Sequence, residues 1–503
     1  MQKRDKVNSM AHGHDLARKA LLALIILLPI TVIYSYILVA GPQWDFMAHY
    51  LNGRTLYDYL THGGVSVYAA FAGEYQNNLL YYFEPYREPL PTPMLAVFVP
   101  LGKELDVLAY ITIVFAIYVF GAYRLGRELR IDALLMLTAF LNSYVIIYFF
   151  DVTSKEALSA AFVMLGLAYL LRKSPMAGLF FGLAGLSKYP ALIFLPMIFL
   201  LWDAKKISYA AGLAFLVTLP WLLFNYYVWG SPLYSYLSAI TISVTSKSYA
   251  FINLGAIAQV IAYPLVIAVL AVLGYRCTRR KATIKRYPLY VMAMAIVLSF
   301  IGYVWVAPHN DEFTQARYAY LFSIALLIPA TYLLSEAIRG SGRWERLRNV
   351  VPALAIVSLL LNGIGLCYFF SYSQSHSAYY YNGDNPDGLY AQAYSSLSLV
   401  GFGGCRAISD SWIPMVYSGY DVYSPFVTSY NPKLVSTLFK ANSSVNITDQ
   451  VLEREHYPII VFKYPGVPES DVTGLANATL AYSTDNFSVY LPRDAVCVRD
   501  QNQ

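Results

Sequence analysis

The sequence predicts an all-α polytopic membrane domain of about 11 transmembrane helices, followed by a small extracytoplasmic α/β domain. Three observations support this fold class. Hydrophobic residues make up 57% of the 503 residues and charged residues only 13%, against about 25% charged residues in an ordinary soluble domain. Long apolar runs recur up to about residue 371, and beyond that point they give way to short strand-like runs between polar residues.

Nine apolar runs are long enough to cross a bilayer as helices, at about 1.5 Å per residue. They cover residues 20–40, 105–123, 131–150, 157–171, 208–228, 253–275, 287–306, 317–338 and 349–371. The first of them is too long for the apolar region of a cleaved signal peptide, so it is predicted to be a span.

The run 176–202 differs from these nine because Lys188 interrupts it and Tyr189-Pro190 follows directly. A charged residue at a helix break suits a cavity, whereas a continuous helix would hold an ammonium group near the bilayer centre. We therefore predict two short helices that meet at Lys188. The alternative makes 176–202 a single helix and turns the proline-rich segment 89–101 into a span.

The basic residues predict the orientation. Of the 36 Lys and Arg residues, 22 lie in six segments on one side of the predicted spans, and the loops on the other side hold seven. Because cytoplasmic loops carry the excess of Lys and Arg, the N-terminus is predicted to be cytoplasmic. The protein is then a multi-pass protein of the cell membrane, and its net charge of +6 gives no reason to expect a nucleic-acid partner. The six segments are 1–19, 124–130, 172–175, 203–206, 276–286 and 339–348.

Two domains follow from this threading: a transmembrane domain at 1–371, whose first external loop is 41–104, and an extracytoplasmic domain at 372–503. Cys405 and Cys497 are expected to pair if the second domain faces an oxidising exterior. The same domain carries all the Asn-x-Ser/Thr sequons, which predicts glycosylation, although a polar surface also accumulates such triplets by composition. The four sequons begin at Asn442, Asn446, Asn477 and Asn486.

Several ionisable residues fall on the predicted outer face, close to the membrane. One carboxylate there can take a proton from an acceptor, while cations stabilise a departing phosphate whose lipid tail remains in the bilayer. The set suits attack by an acceptor on a phosphate-activated carbon. It comprises Asp45, His49, Glu74, Glu84, Arg87, Glu88, Asp151, Lys155, Glu156, Lys188, His309, Asp311, Glu312 and Arg317.

Each candidate also has a structural explanation. Asp45 is either a base or the N-cap of a helix 46–60, since Asp directly before an apolar run is a common cap. Asp151 and Glu156 either support a site or mark a helix start, and the cluster 309–312 is either functional or a solvated loop. For Lys188 we favour the functional explanation, because a cation between apolar spans is costly.

Three motifs resemble those of the GT-C membrane glycosyltransferases. The first motif lies in the first external loop and consists of Trp44-Asp45-Phe46, Gly53-Arg54-Thr55-Leu56-Tyr57 and Glu88-Pro89-Leu90-Pro91. The second is Leu186-Ser187-Lys188-Tyr189-Pro190 at the third external loop, and the third is Ala316-Arg317-Tyr318 at the start of a late span. The resemblance covers roughly residues 20–340 and is greatest to enzymes that use polyprenyl-phosphate sugars, such as protein O-mannosyltransferases and aminoarabinose transferases. No Trp-Trp-Asp motif of the oligosaccharyltransferase kind is present.

The resemblance implies roles for residues of this chain. Asp45 matches the presumed base of the first external loop, Asp151 or Glu156 an acidic residue of the second, and Lys188 a lysine that contacts the lipid phosphate. Arg87, Arg317 and His309 are expected to help bind the donor.

The implied function is transfer of one sugar, a hexose such as mannose, to a protein, glycan or lipid acceptor. The high tyrosine content, the few cysteines and the external sequons would suit an archaeon with a surface layer, in which the carrier would be dolichyl phosphate. No cofactor is expected, since no metal-type Cys/His spacing and no paired Asp-Glu at residue 45 occurs. The alternative is a transporter or flippase of lipid-linked sugars, which would also place charge within the membrane.

Overall fold

The computed structural model describes residues 2–40, 44–62, 88–141, 154–237, 254–277, 285–306, 319–340, 351–361, 388–409, 418–423, 456–463 and 478–498, with residues 239, 363, 364, 411 and 415. The described residues form two units in chain order: a bundle of apolar helices up to residue 364 and a small α/β unit from residue 388. This is the fold class that the composition and the apolar runs predict.

The described part of the bundle contains twelve α-helices, which are labelled in chain order. Five segments within them are long and apolar enough to cross a membrane: Leu16–Ser35, Leu105–Glu128, Ala204–Tyr226, Arg286–Val304 and Tyr320–Arg339. The helices are α1 Gln2–Ala40, α2 Trp44–His62, α3 Pro91–Ala96, α4 Lys103–Glu128, α5 Ala133–Phe140, α6 Ser154–Leu171, α7 Met176–Ser187, α8 Ala204–Trp229, α9 Leu254–Cys277, α10 Arg286–Val306, α11 Tyr320–Gly340 and α12 Val351–Leu361.

The run 176–202 folds as two helices that meet at Lys188, as predicted. Helix α7 ends at Ser187, and a 3₁₀ helix, Tyr189–Leu201, begins directly after the extended backbone of Lys188. Pro190 and Pro196 lie within the second helix and carry no backbone N–H to donate to an α-helical hydrogen bond. The alternative of one continuous helix is wrong.

These two helices form a hairpin, because their far ends meet. The Tyr287 hydroxyl lies 2.8 Å from the Leu170 carbonyl oxygen and 3.2 Å from that of Leu200. The Lys173 ammonium lies 6.0 Å from the centre of the Trp202 ring. Residues on both sides of the run 176–202 are therefore at the same end of the bundle.

The bundle has two ends that differ in their charged contacts. At the Arg18 end, Arg18 contacts Asp132, and Glu128 lies 3.8 Å from Arg172. Asp132 also caps α5 by accepting from the backbone N–H of residues 134 and 135. The segments before residue 287 that are predicted to be cytoplasmic lie at this end, as far as they are described. We call the opposite end of the bundle the Lys188 end.

Close packing of α7 against α8 fixes the position of the hairpin. A Cβ atom on Gly178 would lie 1.9 Å from the Ala210 carbonyl oxygen, and one on Gly182 would lie 2.6 Å from a Val217 methyl group. Only glycine therefore permits this approach of the two helices. Since α7 ends at Lys188, the same contact sets where Lys188 lies.

The proline-rich segment after the first loop is short and does not cross the bundle. Helix α3 has six residues, and a three-residue 3₁₀ turn, Val99–Leu101, follows it. The Leu90 backbone N–H donates to the Leu186 carbonyl oxygen over 3.1 Å, which ties this segment to the last turn of α7. The prediction that 89–101 is not a span agrees with this geometry.

The C-terminal unit contains a five-stranded sheet of order β2-β1-β3-β5-β4, preceded by helix α13, Leu389–Ser395. Strand β1 is parallel to β2 and β3, and β5 is antiparallel to β3 and β4. The strands are β1 Ala407–Ser409, β2 Val422–Tyr423, β3 Ile459–Phe462, β4 Ala478–Ser483 and β5 Phe487–Pro492.

A disulfide links Cys405, before β1, to Cys497, after β5; their Cα atoms are 5.1 Å apart. The expected pairing is confirmed. Among the sequon asparagines, Asn486 is exposed in the turn between β4 and β5, while Asn442, Asn446 and Asn477 lie outside the described residues. Glycosylation remains a prediction.

Candidate active site

Two buried ion pairs lie side by side at the Lys188 end of the bundle. The Lys188 ammonium contacts the Glu156 carboxylate, and the Lys155 ammonium lies 3.0 Å from Glu88 Oε2. All four side chains are at least nine-tenths buried. Because burying an isolated charge is costly, the sequence can keep these groups here only as pairs.

Helix α6 joins the two pairs, since Lys155 and Glu156 are consecutive in its first turn. Lys155 contacts Glu88 at the end of the first loop, and Glu156 contacts Lys188 at the break between the two helices of the hairpin. The side chains of α6 thus connect two segments that are about 100 residues apart in the chain. We call Glu88, Lys155, Glu156 and Lys188 the four-charge cluster.

The charges of the cluster control the ionisation of Glu88. Burial by itself raises the pKa of the Glu88 carboxyl group, but the positive charges of Lys155 and Lys188 and the hydrogen bond from Lys155 outweigh burial. The pKa of Glu88 is therefore held below its ordinary value. Glu88 is an ionised acceptor at neutral pH.

Helix α2 contacts the cluster through His49, whose Nε2 lies 3.7 Å from Glu88 Oε2. The next residue, Tyr50, donates its hydroxyl proton to Asp106 Oδ2 over 2.7 Å. Asp106 Oδ1 accepts from the backbone N–H of Val107 at the start of α4. Two adjacent side chains therefore anchor α2 to the cluster and to α4.

A small cavity lies beside the hairpin break. The Lys188 ammonium is 5.3 Å from the centre of the Tyr320 ring, which suits a cation–π contact. Tyr320 also lines this cavity, which lies between the 3₁₀ helix, α10 and α11. Its other lining residues are Pro190, Ile193, Ser299, Gly302, Tyr303 and Leu321.

The predicted site residues are only partly described. Lys188 and Glu156 lie in the cluster and contact each other. Asp45 lies in helix α2, but its side chain is outside the described residues. Four further predicted site residues lie outside the described ranges: Arg87, Asp151, His309 and Arg317.

The helix start corrects one explanation of Asp45. We considered Asp45 as the N-cap of a helix 46–60, but α2 begins at Trp44, so Asp45 lies in its first turn. In addition, Asp45 and His49 are four residues apart, which puts them on the same face of the helix. Because His49 contacts Glu88, this face is directed towards the four-charge cluster.

The structure brings forward residues to which the sequence assigned no role. Glu88 and Lys155 belonged to the polar set of the outer face, but their pairing was not predicted. Asp106 was missed altogether, although a carboxylate at the start of an apolar run was a usable signal. In the ranges that the structure describes, no group of three or more His, Cys, Asp or Glu side chains gathers where a metal ion could bind.

No family model matches the chain, and no curated protein sequence matches it significantly. Solved structures do resemble it. One is ArnT from Cupriavidus metallidurans bound to undecaprenyl phosphate, with a TM-score of 0.55, 12% identity, and coverage of 95% of this chain and 98% of that one. The chain has a GT-C glycosyltransferase fold.

A second GT-C structure supports this assignment of the fold. It is the Archaeoglobus fulgidus oligosaccharyltransferase tethered to an acceptor peptide containing an NVT sequon. The TM-score is 0.52 at 11% identity, and the match covers 88% of this chain and 69% of that one. At these identities the likeness concerns the fold, so residue roles in this chain must be argued from its own side chains.

Proposed function

We propose that this GT-C protein transfers a single sugar from a polyprenyl-phosphate carrier to an acceptor on the extracytoplasmic face of the cell membrane. The observation that carries the proposal is the four-charge cluster, which lies at one end of the bundle where the hairpin breaks. Buried ionisable groups among membrane helices mark functional sites. The ArnT neighbour binds a polyprenyl phosphate, which supports a lipid-linked donor.

Lys188 and Lys155 are the proposed partners of the carrier phosphate. Both ammonium groups belong to one cluster, and each is already held in place by a carboxylate. A phosphate that reaches them meets positioned cations in a site shielded from water, where electrostatic stabilisation is strongest.

Asp45 is the proposed base. It lies four residues before His49 in α2, and residues at this spacing share a face of a helix; His49 contacts Glu88, which supports this choice. In the reaction the acceptor oxygen forms a bond to the anomeric carbon, and the bond from that carbon to the phosphate oxygen breaks. Asp45 takes the acceptor proton, the carrier phosphate leaves with the electron pair, and the sugar configuration inverts.

The remaining predicted residues have supporting roles in the proposal. Arg87 directly precedes Glu88, and Arg317 lies three residues before Tyr320, so both arginines are close in sequence to residues of the site. With His309 they are proposed to contact the donor, and Asp151 to support Glu156. No metal is required, because the cations that stabilise the leaving group are side chains.

The finer assignments follow from the sequence. The carrier is proposed to be dolichyl phosphate, the sugar a hexose such as mannose, and the acceptor a protein, glycan or lipid. The disulfide Cys405–Cys497 supports an extracytoplasmic C-terminal unit, because disulfides persist in oxidising compartments. The four sequons would make the protein itself a glycoprotein.

A transfer assay tests the proposal. Purified protein in lipid nanodiscs is given dolichyl phosphate mannose or dolichyl phosphate glucose, radiolabelled in the sugar, with a detergent extract of host cell surface as acceptor. We expect label to leave the lipid fraction and unlabelled dolichyl phosphate to accumulate. If the intact labelled donor instead moves from one leaflet of proteoliposome membranes to the other without release of dolichyl phosphate, the protein is a flippase.

The orientation gives a separate prediction. In a variant without Cys277 and Cys367, single cysteines are placed at Lys205, exposed at the Arg18 end of the bundle, or at Asp485, exposed in the C-terminal unit. An impermeant maleimide should label Asp485→Cys in intact cells and Lys205→Cys only after lysis. The reverse pattern would place the four-charge cluster on the cytoplasmic side and contradict an extracytoplasmic reaction.

A further inference from the structure

We propose that His49 binds a proton when the carrier phosphate enters the site, so that binding of the carrier is coupled to uptake of one proton. The inference rests on the proposed function, since it needs an anionic carrier at the four-charge cluster. It gives His49 the role of a charge-balancing residue, which is distinct from the roles of the base and of the phosphate ligands.

The position of His49 suits this role. Its side chain is 2% exposed, and its Nε2 lies 3.7 Å from Glu88 Oε2. Glu88 in turn contacts Lys155 and lies in the field of Lys188. The Glu88 carboxylate is therefore the group through which a proton on His49 would act on Lys155 and Lys188, the two proposed phosphate ligands.

With both lysines and both carboxylates ionised, the cluster carries no net charge before any carrier arrives. The two ammonium groups of Lys155 and Lys188 offset the two carboxylates of Glu88 and Glu156. A phosphodiester adds one negative charge to this buried site. Because an uncompensated buried charge is strongly unfavourable, the site gains affinity if a nearby group acquires a positive charge at the same time.

Histidine is the side chain best suited to gain that charge near neutral pH. The described charged and titratable groups around His49 are the four-charge cluster and, through Tyr50, Asp106. In sequence, Asp45 lies four residues before His49 in α2. Lys155 and Lys188 each contact a carboxylate, and Glu88 stays ionised because its pKa is lowered. Of the side-chain types in and beside the four-charge cluster, histidine is the one whose ordinary pKa lies between 5.5 and 8.

The reaction itself increases the demand for this proton. The donor is a phosphodiester with one negative charge, and bond cleavage leaves a carrier phosphate monoester with a second negative charge. A protonated His49 offsets the added charge through Glu88 and Lys155. The imidazolium thus stabilises the departing phosphate without taking the acceptor proton, which goes to Asp45.

The test uses farnesyl methyl phosphate, a short isoprenoid phosphodiester whose single negative charge does not change between pH 5.5 and 8. Its binding to the full-length protein in nanodiscs is measured by calorimetry in two buffers of different ionisation enthalpy. We expect uptake of about one proton at pH 7.5, and a Kd that rises about tenfold per pH unit once His49 is neutral in the free protein.

Three variants make the test specific. His49→Gln should bind without proton uptake and with a flat pH profile. His49→Lys supplies a fixed positive charge and should bind without uptake, yet tightly at pH 8. His456→Gln changes a histidine of the C-terminal unit and should keep the wild-type profile.

Two outcomes overturn the inference: binding by the wild type without proton uptake, or unchanged uptake in a folded His49 variant. If either His49 variant does not fold, the other still decides the second outcome, because both remove the titrating imidazole. Failure of the wild type to bind the probe at any pH is a different result. It would contradict a carrier site at the four-charge cluster and with it the proposed function.

Discussion

Asp45→Asn is expected to lower sugar transfer at least about a hundredfold, the low end of what a positioned proton acceptor contributes. The substitution keeps the size of the side chain and removes its ability to accept a proton. Asp45 lies in the first turn of α2, where a carboxylate also interacts with the helix dipole. Losing that interaction costs only about 0.3–1 kcal/mol, so the variant should remain folded.

The measurement is the initial rate of transfer from dolichyl phosphate sugar at saturating donor, together with the Tm of the purified protein in nanodiscs. Asp58→Asn is a matched control, because Asp58 is on the same helix and its spacing from Asp45 places it on a different face. Asp58→Asn should transfer at the wild-type rate. Near-wild-type transfer by folded Asp45→Asn would remove the base from α2 and leave Asp151 or Glu156 as candidates.

Local chemistry explains which parts of the fold could be predicted. A lysine inside an apolar run, followed by Tyr-Pro, is sufficient to predict the break at Lys188, because an ammonium group and a proline each disfavour a continuous span. The strands around Ile459–Phe462 and Phe487–Pro492 were likewise visible as short β-branched and aromatic runs. The Cys405–Cys497 pair followed from the cysteine positions and the expected compartment.

The pairing within the site could not be predicted, because it depends on contacts far apart in the sequence. Lys188 and Glu156 are 32 residues apart, and Lys155 and Glu88 are 67 apart. The outer face offered several carboxylates to each lysine, and nothing in one sequence ranks them. The close approach of α7 to α8 through Gly178, which sets the place of Lys188, is also a three-dimensional property.

Asp106 shows a different limit of sequence analysis. It lies at the edge of the apolar run 105–123, where a single carboxylate is compatible with a solvated helix start. The structure instead buries Asp106 completely and satisfies it with the Tyr50 hydroxyl and a backbone N–H. Its partner belongs to another helix, so the sequence around Asp106 could not reveal that it anchors α2.

The pair Lys188–Glu156 leads to the second large effect, which separates a role in folding from a role in carrier binding. Lys188→Ala leaves the fully buried Glu156 carboxylate without its cation, and breaking a buried pair in this way costs about 3–5 kcal/mol of stability. A loss of activity in Lys188→Ala alone would therefore be ambiguous. The double variant Lys188→Met/Glu156→Gln removes both charges, and replacing a whole buried pair is often close to neutral.

We expect Lys188→Met/Glu156→Gln to fold with a Tm near that of the wild type and to bind the carrier much more weakly. Truncating one member of a desolvated, hydrogen-bonded charge pair costs about 2–5 kcal/mol, so the loss of the Lys188 contact to the phosphate should raise the Kd about 30- to 4,000-fold. Calorimetry with farnesyl methyl phosphate measures it. The control is Arg406→Met/Asp421→Asn, which removes the buried ion pair of the C-terminal unit and should leave carrier affinity unchanged. A folded double variant that binds the carrier as tightly as the wild type would restrict Lys188 to a structural role and shift the phosphate site towards Lys155.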